Sequence, residues 1–180
     1  MANSEHVQII KSGPDAFAQW REQNPDTALD LAGADLTGVD LKGAKIRAAN
    51  LQGANLSGAL LGRASLAGAN LAGADLEAAD LGHASLTGAN CSGASLVNVN
   101  LFRADLNNCD LSGATLRLCR LGRASLMGAN LAGADFSQAN MIEADLRNAN
   151  LEGTKFHSSN MNGADLGRAF IYGADFILAM

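Results

Sequence analysis

An apolar residue stands at every fifth position of this chain from Leu31 to Phe176, thirty times without an insertion or a skip. Nearly all are Leu or Ile; the substitutes are Cys91, Phe136, Met141, Phe156, Met161 and Phe176. A period of five excludes the ordinary elements. A helix of 3.6 residues per turn would spread these side chains around its whole circumference, and a strand would alternate them between its two faces. A chain that turns a corner every five residues keeps all of them on one inner wall.

The residues around each apolar position repeat as well. Two residues earlier sits a small side chain, usually Ala, as in Ala34, Ala44, Ala49 and Ala54, with Val39, Val99, Cys109, Cys119, Thr154 and Ser159 as substitutes. Between the small and the large residue lies a polar one, mostly Asp, Asn or Ser. Two units show the pattern: Ala34-Asp35-Leu36-Thr37-Gly38 and Ala74-Asp75-Leu76-Glu77-Ala78. Composition agrees, because hydrophobic residues make up 48% of the chain and aromatic ones only 4%. A core of Ala and Leu must be narrow, with its backbones close together.

These A-(D/N)-L-x-x units, running over residues 30–179, resemble the pentapeptide-repeat family. The resemblance implies an all-β solenoid, a right-handed quadrilateral parallel β-helix in which four sides make a coil of about twenty residues. A subpattern in the sequence agrees with four sides. Gly33, Gly53, Gly73, Gly93, Gly113, Gly133, Gly153 and Gly173 recur every twenty residues. Glycine there suits the positive φ of a type II turn, so this one corner column is expected to keep that turn along its length. Thirty units make seven and a half coils, a rod of roughly 36 Å at the strand spacing of about 4.8 Å.

Stacked coils leave backbone edges open at both ends. At the start, Ser4 is placed to cap a helix running to about Lys11, and Gly13 to end it. Pro14 suits the first turn of a second helix to about Gln23, which Asn24-Pro25 stops. Val7, Ile9, Ile10, Phe17 and Trp20 give these helices an apolar side to lay on the first coil, with Trp20 read as packing. The organisation expected is one structural domain: a helical cap over 1–29 and repeats over 30–180. The far end has no cap and concentrates bulky residues, Phe170, Tyr172, Phe176, Ile177 and Leu178. Such an end suits a homodimer closed by a two-fold axis.

Chemistry is sparse. The three histidines are His6, His83 and His157. At twenty residues per coil His83 stacks between Arg63 and Arg103, and His157 near Ser137 and Ile177, so no nucleophile meets a base. No His, Cys, Asp or Glu cluster has metal-ligand spacing, and no phosphate loop occurs. The reading is no enzyme and no cofactor. Cys91, Cys109 and Cys119 fall on inward positions as small hydrophobes, an odd number that suits reduced thiols and a cytoplasmic protein. Residues 1–13 lack the basic start and apolar run of a leader, and no stretch of about 18 apolar residues points to a membrane. The column Asn50, Asn70, Asn90, Asp110, Asn130 and Asn150 is expected to share amide hydrogen bonds up the stack.

One stretch departs from the consensus. Over residues 97–123 the outward positions carry Val97, Phe102, Arg103, Arg117, Leu118, Arg120 and Arg123. Arg63, His83, Arg103 and Arg123 share a column, which Asp105, Asp110 or a ligand would have to neutralise. Arginine beside an aromatic residue is typical of interface anchors, so the first functional reading is a protein-interaction scaffold or regulator of unspecified partner. The resemblance implies a second reading, because some members of the family act on DNA gyrase as acidic, rod-shaped DNA mimics. Charge argues against it. Residues 31–180 hold thirteen acids and eleven bases, whereas duplex DNA of this length carries roughly twenty negative charges. Direct binding of nucleic acid is not expected of a chain with net charge −5 and so few aromatic residues.

Overall fold

In the computed structural model, which describes residues 2–180, every β-bridge is parallel and joins residues twenty apart, from Asp30↔Asn50 to Lys155↔Asp175. Each turn of the chain therefore has four sides, named here first to fourth after their innermost residues in the first coil: Leu31, Leu36, Leu41 and Ile46. A side contributes one bridge residue, and no longer strand forms, because a corner follows within three residues. The polar residue before each inner Leu is the bridge residue. Asn70 N–H, for example, donates to the Ala49 carbonyl at 2.9 Å, and its own carbonyl accepts from Leu51 N–H at 2.7 Å.

Corners are closed by a hydrogen bond back across the turn, as from Ala54 N–H to the Leu51 carbonyl at 3.0 Å. The third turn residue has positive φ at all thirty corners, fifteen of them glycine and fifteen not. The column from Gly33 to Gly173 keeps the positive φ expected of it, and the same sign recurs on the three sides the sequence left open. A left-handed residue costs roughly 1–2 kcal/mol when it carries a Cβ. At Arg63, His83 and Arg103, with φ of 59°, 59° and 56°, that cost is offset by the bridge and the core residue on either side.

The inside is filled by the two inward residues of each side. From the second coil through the sixth the large ones are fully buried and the alanines nearly so, while in the seventh Met161 and Leu166 are already half-buried. A fully buried Leu contributes about 1.5–3 kcal/mol, and repetition makes the sum large enough for a rod with almost no aromatic core. The exception is an internal stack on the second side: Phe136 and Phe156 are 5.5 Å apart, Phe156 and Phe176 5.0 Å.

Two helices cover the first coil, α1 (Ser4–Lys11) and α2 (Pro14–Gln23). The cap of α1 is Asn3 and not Ser4. The Asn3 side chain accepts from Glu5 and His6 N–H, which places Ser4 inside the helix. Likewise Ser12 ends α1, while Gly13, with φ of 98°, opens α2. Ile10 and Phe17 are buried against the first coil, with Val7, Ile9 and Trp20 half-buried around them. Trp20 stacks on Phe17 at 6.1 Å and meets His6 edge-on at 5.9 Å, which is packing. Asp30 shows how the cap replaces a missing coil. Its N–H donates to His6 Nδ1 at 3.0 Å and its carbonyl accepts from Asn3 N–H at 3.0 Å.

Among the described residues no helix covers the last coil. Ile171 sits at an inward position yet is 53% exposed, and Tyr172 and Leu178 are exposed beside it.

Candidate functional site

Most outward polar residues are already committed to the fold. The Asp or Asn before an inner Leu accepts, through Oδ1, the N–H two residues on, as Asp80 does from Gly82 at 3.0 Å and Asp110 from Ser112 at 3.0 Å. That amide points out of the turn and has no coil to bond, so the carboxylate or amide satisfies it. Sequence reading missed this task. The amide ladder it expected is partial: Asn50 donates to Asp30, Asn130 to Asp110 and Asn150 to Asn130, while Asn70 and Asn90 donate to no neighbour in the column.

Charge separates by side. The first side carries Asp30, Asp110 and Glu152 with no base, and the second carries five acids against Arg117 and Lys155. The third bears Lys42, Arg63, Arg103, Arg120 and Arg123 against Asp40, Asp80 and Glu143. The fourth has four bases against three acids. One half of the rod is thus acidic and the opposite half basic, a distribution that the net charge conceals.

The seven residues singled out over 97–123 all lie outside, on two adjoining sides. Val97, Arg117 and Leu118 belong to the second side and its corner, Phe102, Arg103, Arg120 and Arg123 to the third. Phe102 is 39% exposed and Leu118 48%. The Phe102 ring lies against the backbone of Gly122, where a Cβ would sit 3.4 Å from it. His83 approaches it edge-on at 5.9 Å, and the Arg103 guanidinium lies 5.3 Å from its centroid. The stacked cations are not neutralised as expected. Asp105 accepts from Thr87 Oγ1 and Asp110 from Asn130, and it is Glu143, next in the same column, that holds Arg123 at 2.7 Å. Arg103, Arg117 and Arg120 have no carboxylate within 4.0 Å. Arg117 still helps Asp135. Burial pushes that carboxyl upward, but hydrogen bonds from Ser137 and the charges of Arg117 and Lys155 bring it below its ordinary value.

Below Phe102 the third side opens into a shallow trough floored by Gly62 and Gly82 and flanked by Lys42, Arg63 and His83. Its signal in the sequence was two successive glycines, Gly62 and Gly82, in a column that also carries Lys42, Phe102, Ile142 and Asn162. The three histidines stay apart as expected, and among the described residues no three His, Cys, Asp or Glu side chains gather to hold a metal ion. The cysteines are buried and unpaired. Burial pushes Cys109 and Cys119 up to about 12, and Cys91 well above its ordinary value, which leaves none of them a thiolate nucleophile. No helix among the described residues is long and apolar enough to cross a membrane.

Comparisons with known proteins agree with this architecture. No curated protein matches the chain by sequence. Among solved structures, HetL, a pentapeptide-repeat protein involved in heterocyst differentiation regulation in the cyanobacterium Nostoc, is 33% identical. The match covers 81% of this chain and 73% of HetL with a TM-score of 0.57. Rfr23 of the cyanobacterium Cyanothece is 33% identical over 51% of this chain and 58% of its own, with a TM-score of 0.44. QnrB1, a plasmid-mediated fluoroquinolone resistance protein, is 22% identical over 79% of this chain and 77% of its own, with a TM-score of 0.48. Family models for pentapeptide repeats match residues 27–63 and 64–101, and one for a pentapeptide repeat region matches 99–176. With nearly the whole bridged stack so matched, the chain belongs to the pentapeptide-repeat family.

Proposed function

We propose that this protein is a non-enzymatic, cytoplasmic scaffold or regulator, a right-handed quadrilateral β-helix over 30–180 under a helical cap over 1–29. It engages a protein partner along the edge between its second and third sides. One observation carries the reading. Around Phe102 and Leu118, apolar surface lies beside three arginines that no carboxylate neutralises, on a rod where most Asp and Asn side chains serve its own turns. Exposed aromatic and aliphatic area ringed by arginine is the composition of interface centres. HetL, a regulatory protein of the same family, supports the class. The test is quantitative affinity capture with three proteins: wild type, Phe102→Ala with Arg120→Glu, and a control changed on the first side, Ser92→Glu. A partner held by wild type and control but lost by the double variant supports the reading. Equal retention by all three refutes it.

The open C-terminal end, with Phe170, Tyr172, Phe176, Ile177 and Leu178, is proposed to pair with a second copy. Sedimentation of wild type against Leu178→Lys tests this, a monomer in both being the refuting result. The acidic half made by the first and second sides favours a second reading, action on DNA gyrase as a DNA mimic. Its eight acids fall well short of the roughly twenty charges of duplex DNA this long. Gyrase supercoiling titrated with wild type and with Asp75→Lys, Asp135→Lys decides it. Inhibition lost in the variant supports mimicry, and no effect at large excess ends it.

A further inference from the structure

The cap meets the rod fully only on one side. Asp30 on the first side finds its backbone partners in His6 of α1 and in the cap residue Asn3, but the fourth side has none. By the pattern of the higher coils, where Ser65 N–H donates to Ala44 and Ser65 accepts from Ile46, Lys45 should use N–H and carbonyl toward a coil below. Neither group has a partner in the structure. In that place is a cavity of about 570 Å³ between α2, the segment 24–28 and the underside of residues 42–48. That volume lies in the ordinary range for small-ligand sites, about 300–1,000 Å³.

Its walls are of two kinds. Phe17, Ala18, Pro25, Ala28, Ala44 and Ala48 give an apolar lining, and Arg21, Lys42, Lys45 and Arg47 bring four cations to it against Glu22 and Asp26. Lys42 is 3.9 Å from Asp40, but Arg21, Lys45 and Arg47 have no carboxylate within 4.0 Å. Arg21 is the most telling. Its Nη1 donates to the carbonyls of Asn24 and Thr27 at 3.0 and 2.7 Å, and its guanidinium lies over Phe17 and Trp20, while Nε is buried with no partner at all. Carbonyls and ring faces thus hold this guanidinium at the cavity wall, and no carboxylate balances its charge.

We infer that the cavity beneath α2 is a binding site for a small amphipathic organic anion, an apolar body against Phe17 and Ala44 with its carboxylate among Arg21, Lys45 and Arg47. The acid group supplies the charge these three lack, and the body covers alanine surface that the missing coil would have covered. Recognition of this kind depends on charge sign as well as on apolar area. The occupied cap is held more firmly, because a ligand that binds only the folded form stabilises it by mass action.

The experiment uses the full chain with decanoate as the probe and decylamine as the charge-reversed control, by calorimetry and by thermal melting. Decanoate should bind at one site and raise the melting temperature, and decylamine should do neither. Lys45→Glu with Arg47→Glu should weaken decanoate at least tenfold. Ala18→Trp, on the exposed flank of α2, should block entry while melting as the wild type does. The inference is overturned by the absence of decanoate binding, by equal binding of the amine, or by binding that both variants leave unchanged. The last result would place the probe on the apolar C-terminal end instead.

Discussion

Phe156 is the middle rung of the internal phenylalanine stack, and its replacement by Ala tests whether this rod is stabilised coil by coil. The side chain is fully buried, with Phe136 at 5.5 Å below and Phe176 at 5.0 Å above. Truncation to Ala removes the buried ring and both stacked contacts, for an expected loss of about 3–5 kcal/mol. Phe156→Leu, which restores the residue found at most such positions, should cost about 1–2 kcal/mol. In a stack where each coil touches only its neighbours, that loss is local. It falls on the last coil and a quarter, where Phe170 N–H bonds Ala149 and Asp175 N–H bonds Thr154. Residue-resolved amide exchange should show those amides losing protection roughly a hundredfold or more, at about 1.4 kcal/mol per tenfold. Amides such as Leu51 and Leu86 should keep theirs. If protection falls evenly from Leu51 to Asp175, the whole rod is one cooperative unit and the nearest-neighbour reasoning is wrong. A loss below about 1 kcal/mol would refute the assigned burial of the ring.

Other outcomes follow from buried and titrating groups. With thiols pushed up to about 12, Cys109 and Cys119 should resist alkylation at pH 8 in the folded protein and react in denaturant, as read by mass spectrometry; rapid native labelling would contradict their burial. The Ser159 hydroxyl is buried without a partner, whereas Thr154 Oγ1 and Cys119 Sγ in comparable inward positions donate to Leu131 and Leu96. Ser159→Ala should therefore raise stability by about 1 kcal/mol, and a lower melting temperature would show that the hydroxyl is used. Asp145 is held below its ordinary value by the Arg147 side chain, and Asp135 is lowered as well. A carboxyl lowered on folding adds stability above its unfolded pKa of about 4 and loses it as pH falls through the lower folded value. Melting temperature should decline from about pH 5 downward, and Arg147→Ala should flatten that decline; an unchanged profile in the variant would remove Arg147 as the cause.

The inner wall was legible because it rests on a strict period of five that a single insertion would have broken, and the coil of twenty followed from the family resemblance together with the glycines that recur every twenty residues. Turn geometry was legible only where glycine marked it. At Arg63, His83 and Arg103 the same positive φ is imposed by bridges on both sides, a tertiary cause with no local signature. Asn3 displaced Ser4 as the cap of α1 because the hydrogen bond from Asn3 N–H to Asp30 fixes where the chain enters the helix, and that contact spans 27 residues. The patch over 97–123 was visible as a departure from consensus, and the structure adds that Arg103, Arg117 and Arg120 are unpaired while Glu143 holds Arg123. The cavity under α2 left no trace in the sequence. It arises from the way α2 and the first coil fail to meet.

That contrast follows from the geometry of the repeat. Each five-residue side sends two residues inward and three outward, and where the residue before the inner Leu is Asp or Asn, as in most sides, its side chain satisfies the turn. The remaining outward side chains stand in columns about 4.8 Å apart on a nearly flat wall, where none can converge on a common point. A regular coil therefore offers surfaces but no cleft in which a base could meet a nucleophile. Concavity and unmet polar groups appear where an outward side chain or a neighbouring coil is missing: over Gly62 and Gly82, at the final coil, and beneath the cap, where Lys45 lacks a coil to bond. A flat wall suits a protein partner and an enclosed hollow a small ligand, which is why the patch at Phe102 and the cavity at Arg21 are proposed to take different kinds of occupant.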